Sequence, residues 1–141
     1  MSVARKPVPR TDMYFTSVVI ANDGPFPVGT AVAIVGQGNQ LVYRPAGARK
    51  IDGVGSFAGF LHGTYDPGMA PNVTTVRGAL VTPVVEHGVP LVSGQPVYLS
   101  LTPGEVTQIL PLDQDSQILP LGFAVNATQF VLALDARIES P

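Results

Sequence analysis

Fourteen prolines are spread along the whole of this 141-residue chain, and that spread limits the fold more than any other feature. A proline inside a helix costs about 3 kcal/mol, through a lost hydrogen bond and a ring clash. No segment here keeps a helical period free of a breaker, and 15 glycines divide the chain further. The expectation is an all-β fold, a compact antiparallel β-sandwich or squat barrel with many short strands joined by Gly/Pro turns. The length suffices for one domain with a usable core.

Only 13% of the residues are charged and 45% are hydrophobic, where about 25% charged is ordinary. That is too apolar for disorder. It also points to apolar surface covered by a partner, although a large internal core gives the same composition. There is no cysteine, so disulfide and thiolate chemistry are excluded and the compartment is left open. No apolar run reaches the length of a membrane span, and the opening MSVARKPVPR has no hydrophobic signal core. The expectation is a soluble chain with no membrane partner, outside Sec-type export.

Charge divides the chain unevenly. Residues 1–50 hold Arg5, Lys6, Arg10, Arg44, Arg49 and Lys50 against Asp12 and Asp23, whereas residues 51–141 hold Arg77 and Arg137 against eight acids. Residues 1–11 form an extended basic arm in which Pro7 and Pro9 forbid a regular ladder, and such a terminus stays mobile unless a partner holds it. Residues 12–141 read as a single all-β domain.

Within that domain Met13 to Ala21 is apolar on both alternating sets, the pattern of a strand buried on both faces. Strands at 28–35 and 40–44 flank GQGN, a Gly/Asn hairpin signal that predicts a positive φ at Gly36 or Gly38. PAGARKID (45–52) reads as a polar loop and 56–61 as a strand. The run 73–85 is the longest β-branched stretch, and Gly78 and Pro83 predict a bend or an edge position within it. Strands at 96–101, 105–110, 117–125 and 129–138 complete the set, with room for one short helical turn at 64–72 or 86–95. In the last strand Phe130, Leu132 and Leu134 alternate towards a core.

The pentapeptide Gln-Ile-Leu-Pro-Leu occurs twice, at 108–112 and 117–121, around the acidic turn DQDS. Two copies are too few for a solenoid. Pro111 and Pro120 are disfavoured in a central strand, so both copies are expected at a sheet edge or in a protruding loop. A protruding apolar-proline loop suits contact with a neighbouring subunit, and a plain hairpin explains the repeat equally well.

Residues suited to catalysis are few. His62 and His87 lack close-spaced metal-ligand partners, and Glu86 and His87, as strand neighbours, are expected to point to opposite faces. Asp113 and Asp115 have the spacing of alternate calcium-loop ligands without the required Gly and distal Glu. No serine has a G-x-S-x-G setting, and GQGN lacks the third glycine and the helix of a phosphate cradle. The expectation is no catalytic residue, no cofactor and no metal. Basic residues are too few, and too little interleaved with aromatics, for nucleic acid.

From about Val73 onward, the order of β run, SGQPVYLS, TPGEVTQ, ILPLGFAV and FVLALDARI resembles the capsid decoration, or cement, proteins of tailed bacteriophages. The matching residues are Gly94, Val97 and Tyr98, then Gly104, Val106 and Thr107, then Gly122 and Ala124, and finally Phe130 to Leu134. They cover about half of the chain, and they are turn grammar shared with phage tail and fibre modules. The resemblance implies a non-enzymatic virion protein on the outer capsid surface. Such a protein bridges neighbouring major capsid protein subunits, commonly as a homotrimer and sometimes as a dimer. The alternative it leaves open is a phage tail, neck or fibre module. Trimeric nucleotide hydrolases share the size and β content, but their Ser-rich phosphate motif and glycine-flanked catalytic Asp are not found here. Candidate capsid or inter-subunit contacts are Arg5, Lys6 and Arg10 of the arm and Leu110, Pro111, Leu112, Leu119 and Pro120 of the repeat.

Overall fold

The computed structural model describes residues 17–134. They form an all-β fold of two five-stranded sheets. The first sheet contains β1 (Val19–Ile20), β2 (Ala31–Gln37), β3 (Gln40–Pro45), β4 (Phe57–Leu61) and β5 (Val73–Thr74), in the order β1-β3-β2-β4-β5. The second contains β6 (Leu80–Val81), β7 (Pro96–Leu99), β8 (Val106–Thr107), β9 (Pro120–Ala124) and β10 (Phe130–Leu132), in the order β6-β10-β9-β7-β8. All neighbours are antiparallel except β1 and β3. Each half of the chain therefore builds one sheet. The arm, and the strand residues expected at 13–16 and 135–138, lie outside the described residues.

The hairpin signal is placed as expected. Gln37 pairs with Gln40 across the two-residue loop Gly38-Asn39, and Gly38 has φ +63° while Gly36 stays in ordinary strand geometry. A positive φ at the first central position alone is the type II′ pattern, whose twist matches that of the flanking strands. A Cβ on Gly38 would meet nothing within 4 Å. Gly38→Ala therefore isolates the backbone cost, expected at about 1–2 kcal/mol by chemical denaturation; an unchanged midpoint would contradict the turn.

The β-branched run 73–85 is not one strand. β5 closes the edge of the first sheet, a turn at Gly78 (φ +90°) redirects the chain, and β6 opens the edge of the second. A bend or an edge position was expected, and both occur; the change of sheet was not expected. The polar segment 45–52 also differs from a plain loop. It leads into two short 3-10 turns, Lys50–Asp52 and Val54–Ser56, hinged at Gly53 with φ +82°. A third such turn, Glu86–Gly88, fills the helical place allowed at 86–95.

The main core lies between the sheets. Ala31, Ala33, Val54 and Phe60 of the first half pack against Val97, Leu99, Val106, Leu121, Phe130 and Leu132 of the second. The rings of Phe60 and Phe130 meet edge to face with centroids 5.4 Å apart, the arrangement the ring quadrupole favours. Alternation then turns Val32, Val42 and Leu61 to the other face of the first sheet, where they cluster with Ile20 of β1 and with Phe26 and Tyr65 from the loops. The loop at 68–69 lies along β1: the Ile20 N–H donates to the Met69 carbonyl and the Gly68 N–H to the Ile20 carbonyl, both at 2.9 Å. Backbone bonds also join the sheets along one side: the Ala31 N–H donates to Gly104 at 3.0 Å, Gly104 to Ala46 at 2.7 Å, and Val84 to Gly29 at 3.3 Å.

Candidate interaction surface

The second sheet has a covered inner face and an open outer one. Residues directly opposite in an antiparallel ladder share a face. Leu80 pairs with Val131, Val131 with Phe123, and Phe123 with Pro96, so one apolar row crosses β6, β10, β9 and β7. Leu80 is 54% and Phe123 55% exposed, with Val131 and Pro96 half-buried beside them. Strands β6 to β10 contain no charged residue, and residues 78–134 contain four acids but no Lys or Arg. An antiparallel sheet with a solvated face ordinarily alternates apolar-in and polar-out, and exposed strands usually carry Lys or Glu against unwanted pairing. The row Leu80–Val131–Phe123–Pro96 departs from both patterns, and an apolar row of this kind is a candidate interaction surface.

Two residues past Leu80, Thr82 lines an open cleft of about 330 Å³ with Pro83, Val85, Val89, Pro90 and Ala127. The bond from Gln129 Nε2 to Thr82 Oγ1, 3.2 Å, marks the passage between row and cleft. At the C-terminal end of β9, the Gly94 N–H donates to the Ala124 carbonyl at 2.8 Å and Ser93 Oγ to the Val125 carbonyl at 3.2 Å. The Gln108 side chain then ties the first repeat copy to the same turn. Its Oε1 accepts from the Val92 N–H at 2.7 Å, and its Nε2 donates to the Val92 carbonyl at 3.0 Å.

Identical pentapeptides therefore have opposite fates. In the first copy Ile109 is 77% and Leu112 65% exposed, Leu110 is exposed and Pro111 is buried. In the second, Ile118, Leu119 and Leu121 are core residues. The expectation of an edge or protruding loop holds for residues 108–112 and fails for 117–121. Pro120 is half-buried and opens β9, the central strand of its sheet. Proline is tolerated there because it is the first strand residue and faces the register shift at Val97/Tyr98. Burial likewise removes Leu119 and Pro111 as surface contacts. Of the expected contacts, Leu110 and Leu112 are presented to solvent, and Arg5, Lys6 and Arg10 lie outside the described residues. Leu80, Phe123 and Val131 were not among the expected contacts. The signal available for them was the lack of any charge on the outward set of β9 and β10.

The polar groups act as struts. Glu86 and His87 were expected on opposite faces, but the 3-10 turn, with His87 at φ +58°, swings them together: His87 Nε2 lies 3.3 Å from Glu86 Oε2. The other carboxylate oxygen accepts from the fully buried Ser100 hydroxyl. A carboxylate, not the imidazole, stands between the hydroxyl and the ring, so His87 cannot serve as the base for Ser100 as in a nucleophilic triad. His62 pairs with Thr74 Oγ1. Among the described residues no three His, Cys, Asp or Glu side chains gather as metal ligands, and no helix is long and apolar enough to cross a membrane.

The DQDS turn is fastened to the first half of the chain. Arg49 grips Asp113 Oδ2 with Nε at 3.0 Å and a terminal guanidinium nitrogen at 2.7 Å, while the Lys50 N–H donates to the Asp115 carbonyl at 2.9 Å. The Gln114 backbone N–H, and then Arg49, hold the Asp113 carboxyl below the ordinary aspartate value of 3.8. A depressed folded-state value adds stability above the unfolded pKa, and that stability is lost as pH falls through the folded one. Asp113→Asn should therefore lower Tm at neutral pH, with the deficit shrinking as the medium is acidified below the aspartate range. A deficit independent of pH would contradict the ionic role.

No protein-family model and no curated protein matches this chain.

Proposed function

We propose that this is a capsid decoration protein, a structural virion component that binds the outside of a bacteriophage capsid and bridges neighbouring major capsid protein subunits. The observation that carries the reading is the charge-free apolar row on the outer face of the second sheet, with the exposed side chains of Ile109, Leu110 and Leu112 as a second apolar surface. Such a surface gains by burial against another protein and offers a substrate no convergent polar groups. The decoration-protein motif residues lie in and around this one sheet. Gly94, Gly104 and Gly122 hold φ of +84°, +89° and +156°, so the motif glycines stand where side chains are strained. A homotrimer on the shell would repeat the contact at many equivalent positions, and linked weak contacts together resist internal pressure.

Absolute quantification of the protein in purified virions tests the proposal. A decoration protein is present in hundreds of copies, in fixed ratio to the major capsid protein. A handful of copies would favour a tail, neck or fibre module, and absence from the virion would overturn the reading.

A further inference from the structure

A second cleft, of about 620 Å³, opens where the β2–β3 hairpin meets the 3-10 turn Lys50–Asp52. Its volume lies within the range of small-molecule sites, about 300–1,000 Å³. Val35, Ile51 and Pro103 supply apolar walls, and Asp23, Arg44 and Asp52 supply charge. Backbone bonds fix these groups from both halves of the chain. The Gly104 N–H donates to the Ala46 carbonyl at 2.7 Å, which holds Pro103 beside the end of β3. The Gly53 N–H donates to the Lys50 carbonyl at 3.2 Å and the Gly47 N–H to the Asp52 carbonyl at 3.0 Å, and together they close the turn that carries Ile51 and Asp52. A Cβ on Gly47 would lie 3.0 Å from Asp52 Cβ and 3.3 Å from its Oδ2, so bare backbone at this position leaves room for that carboxylate.

Charge narrows the occupant. Arg44 and Asp23 pair through one contact, Nη2 to Oδ2 at 3.0 Å, and offset each other. Among the described residues the half-buried Asp52 carboxylate has neither a hydrogen-bond partner nor a salt bridge. One negative charge is thus left over beside an apolar wall, and Ile51 in that wall is 88% exposed. A neutral ligand would cover Asp52 without pairing it, which costs free energy. A cation on an aliphatic stem suits both parts: the stem lies on Val35, Ile51 and Pro103, and the head makes charge-assisted hydrogen bonds to Asp52.

We infer that this cleft is a binding site for a guanidinium or ammonium group carried on an aliphatic stem. Arg or Lys side chains of a partner protein and free alkyl guanidines or amines share that chemistry. None of the cleft residues belongs to the outer row or to the loop 109–112, so the site and the decoration reading stand or fall separately.

NMR titration of the isotope-labelled full-length protein with n-butylguanidinium chloride tests the site. Saturable shifts centred on the Gly36, Ile51 and Asp52 amides are expected. Asp52→Asn, which keeps the side-chain shape, should weaken the apparent affinity several-fold. Ile51→Ser, at a position exposed enough to leave the fold intact, should weaken it too. Thermal unfolding checks that both variants remain folded. Raising salt from about 0.05 M to about 0.5 M should weaken binding several-fold. A blocked Gly-Arg-Gly peptide separates the two sources: tighter binding than the small probe supports a protein side chain, and weaker binding supports a free small cation. Absence of any saturable shift would overturn the inference. So would equal binding of neutral n-butanol or methyl glucoside, or an affinity unchanged in the folded Asp52→Asn protein.

Discussion

Phe130→Ala should lower the unfolding free energy by about 3–5 kcal/mol, the usual cost of truncating a buried aromatic residue. Phe130 is fully buried on the second-innermost strand of its sheet, between Val81 on β6 and Ala124 on β9. Its ring also makes the edge-to-face contact with Phe60 that joins the two sheets. The cavity would open between two backbone ladders held by their own hydrogen bonds, so collapse around it is restricted. Domains of this kind have about 5–15 kcal/mol of stability in all, and the variant should lose much of it. Urea titration at neutral pH measures the change; Leu132→Ala, on the same face, should cost about 2–5 kcal/mol. A midpoint shifted by less than about 1 kcal/mol for both would mean that this alternation faces solvent.

Gly122→Ala should be about as damaging although it adds only a methyl group. Gly122 sits in the middle of β9, paired with Val97 on one side and Leu132 on the other. A Cβ there would come within 1.9 Å of the Val131 carbonyl oxygen, and the φ of +156° is one that side chains rarely adopt. The oxygen belongs to a paired strand and cannot rotate away, so β9 and β10 must separate. Backbone strain of about 1–3 kcal/mol and overpacking of about 1–3 kcal/mol both apply. Circular dichroism and thermal unfolding would register the loss. A variant with wild-type Tm would mean that β9 and β10 approach less closely than described.

Much of this fold is legible in the sequence because its signals are local. GQGN specifies its own turn, and the alternation of Phe130, Leu132 and Leu134 specifies an inward face; Phe130 and Leu132 are fully buried, and Leu134 packs partly buried on the core. Features that depend on distant partners are not legible in the same way. Gly78 announces a bend, but nothing near it says that β5 and β6 belong to different sheets. The two QILPL copies are the same peptide. Gln108 folds back on Val92 and leaves the first exposed, whereas β7 and β10 flank the second and bury it. The 3-10 turns at 50–56 are too short for any period to show. The apolar row is hidden for the same reason, since Leu80, Val131, Phe123 and Pro96 become neighbours only through register, across three strand pairs.

Under the proposed function this protein sits on a phage shell, and a cryo-electron-microscopy reconstruction of the virion tests that most directly. The account predicts two-sheet β modules on the outer shell at symmetry-related positions. Each should span adjacent major capsid protein subunits, with the row Leu80–Val131–Phe123 and the loop 109–112 buried in protein contacts. A shell bare of such density, or modules whose second-sheet face stands open to solvent, would contradict it.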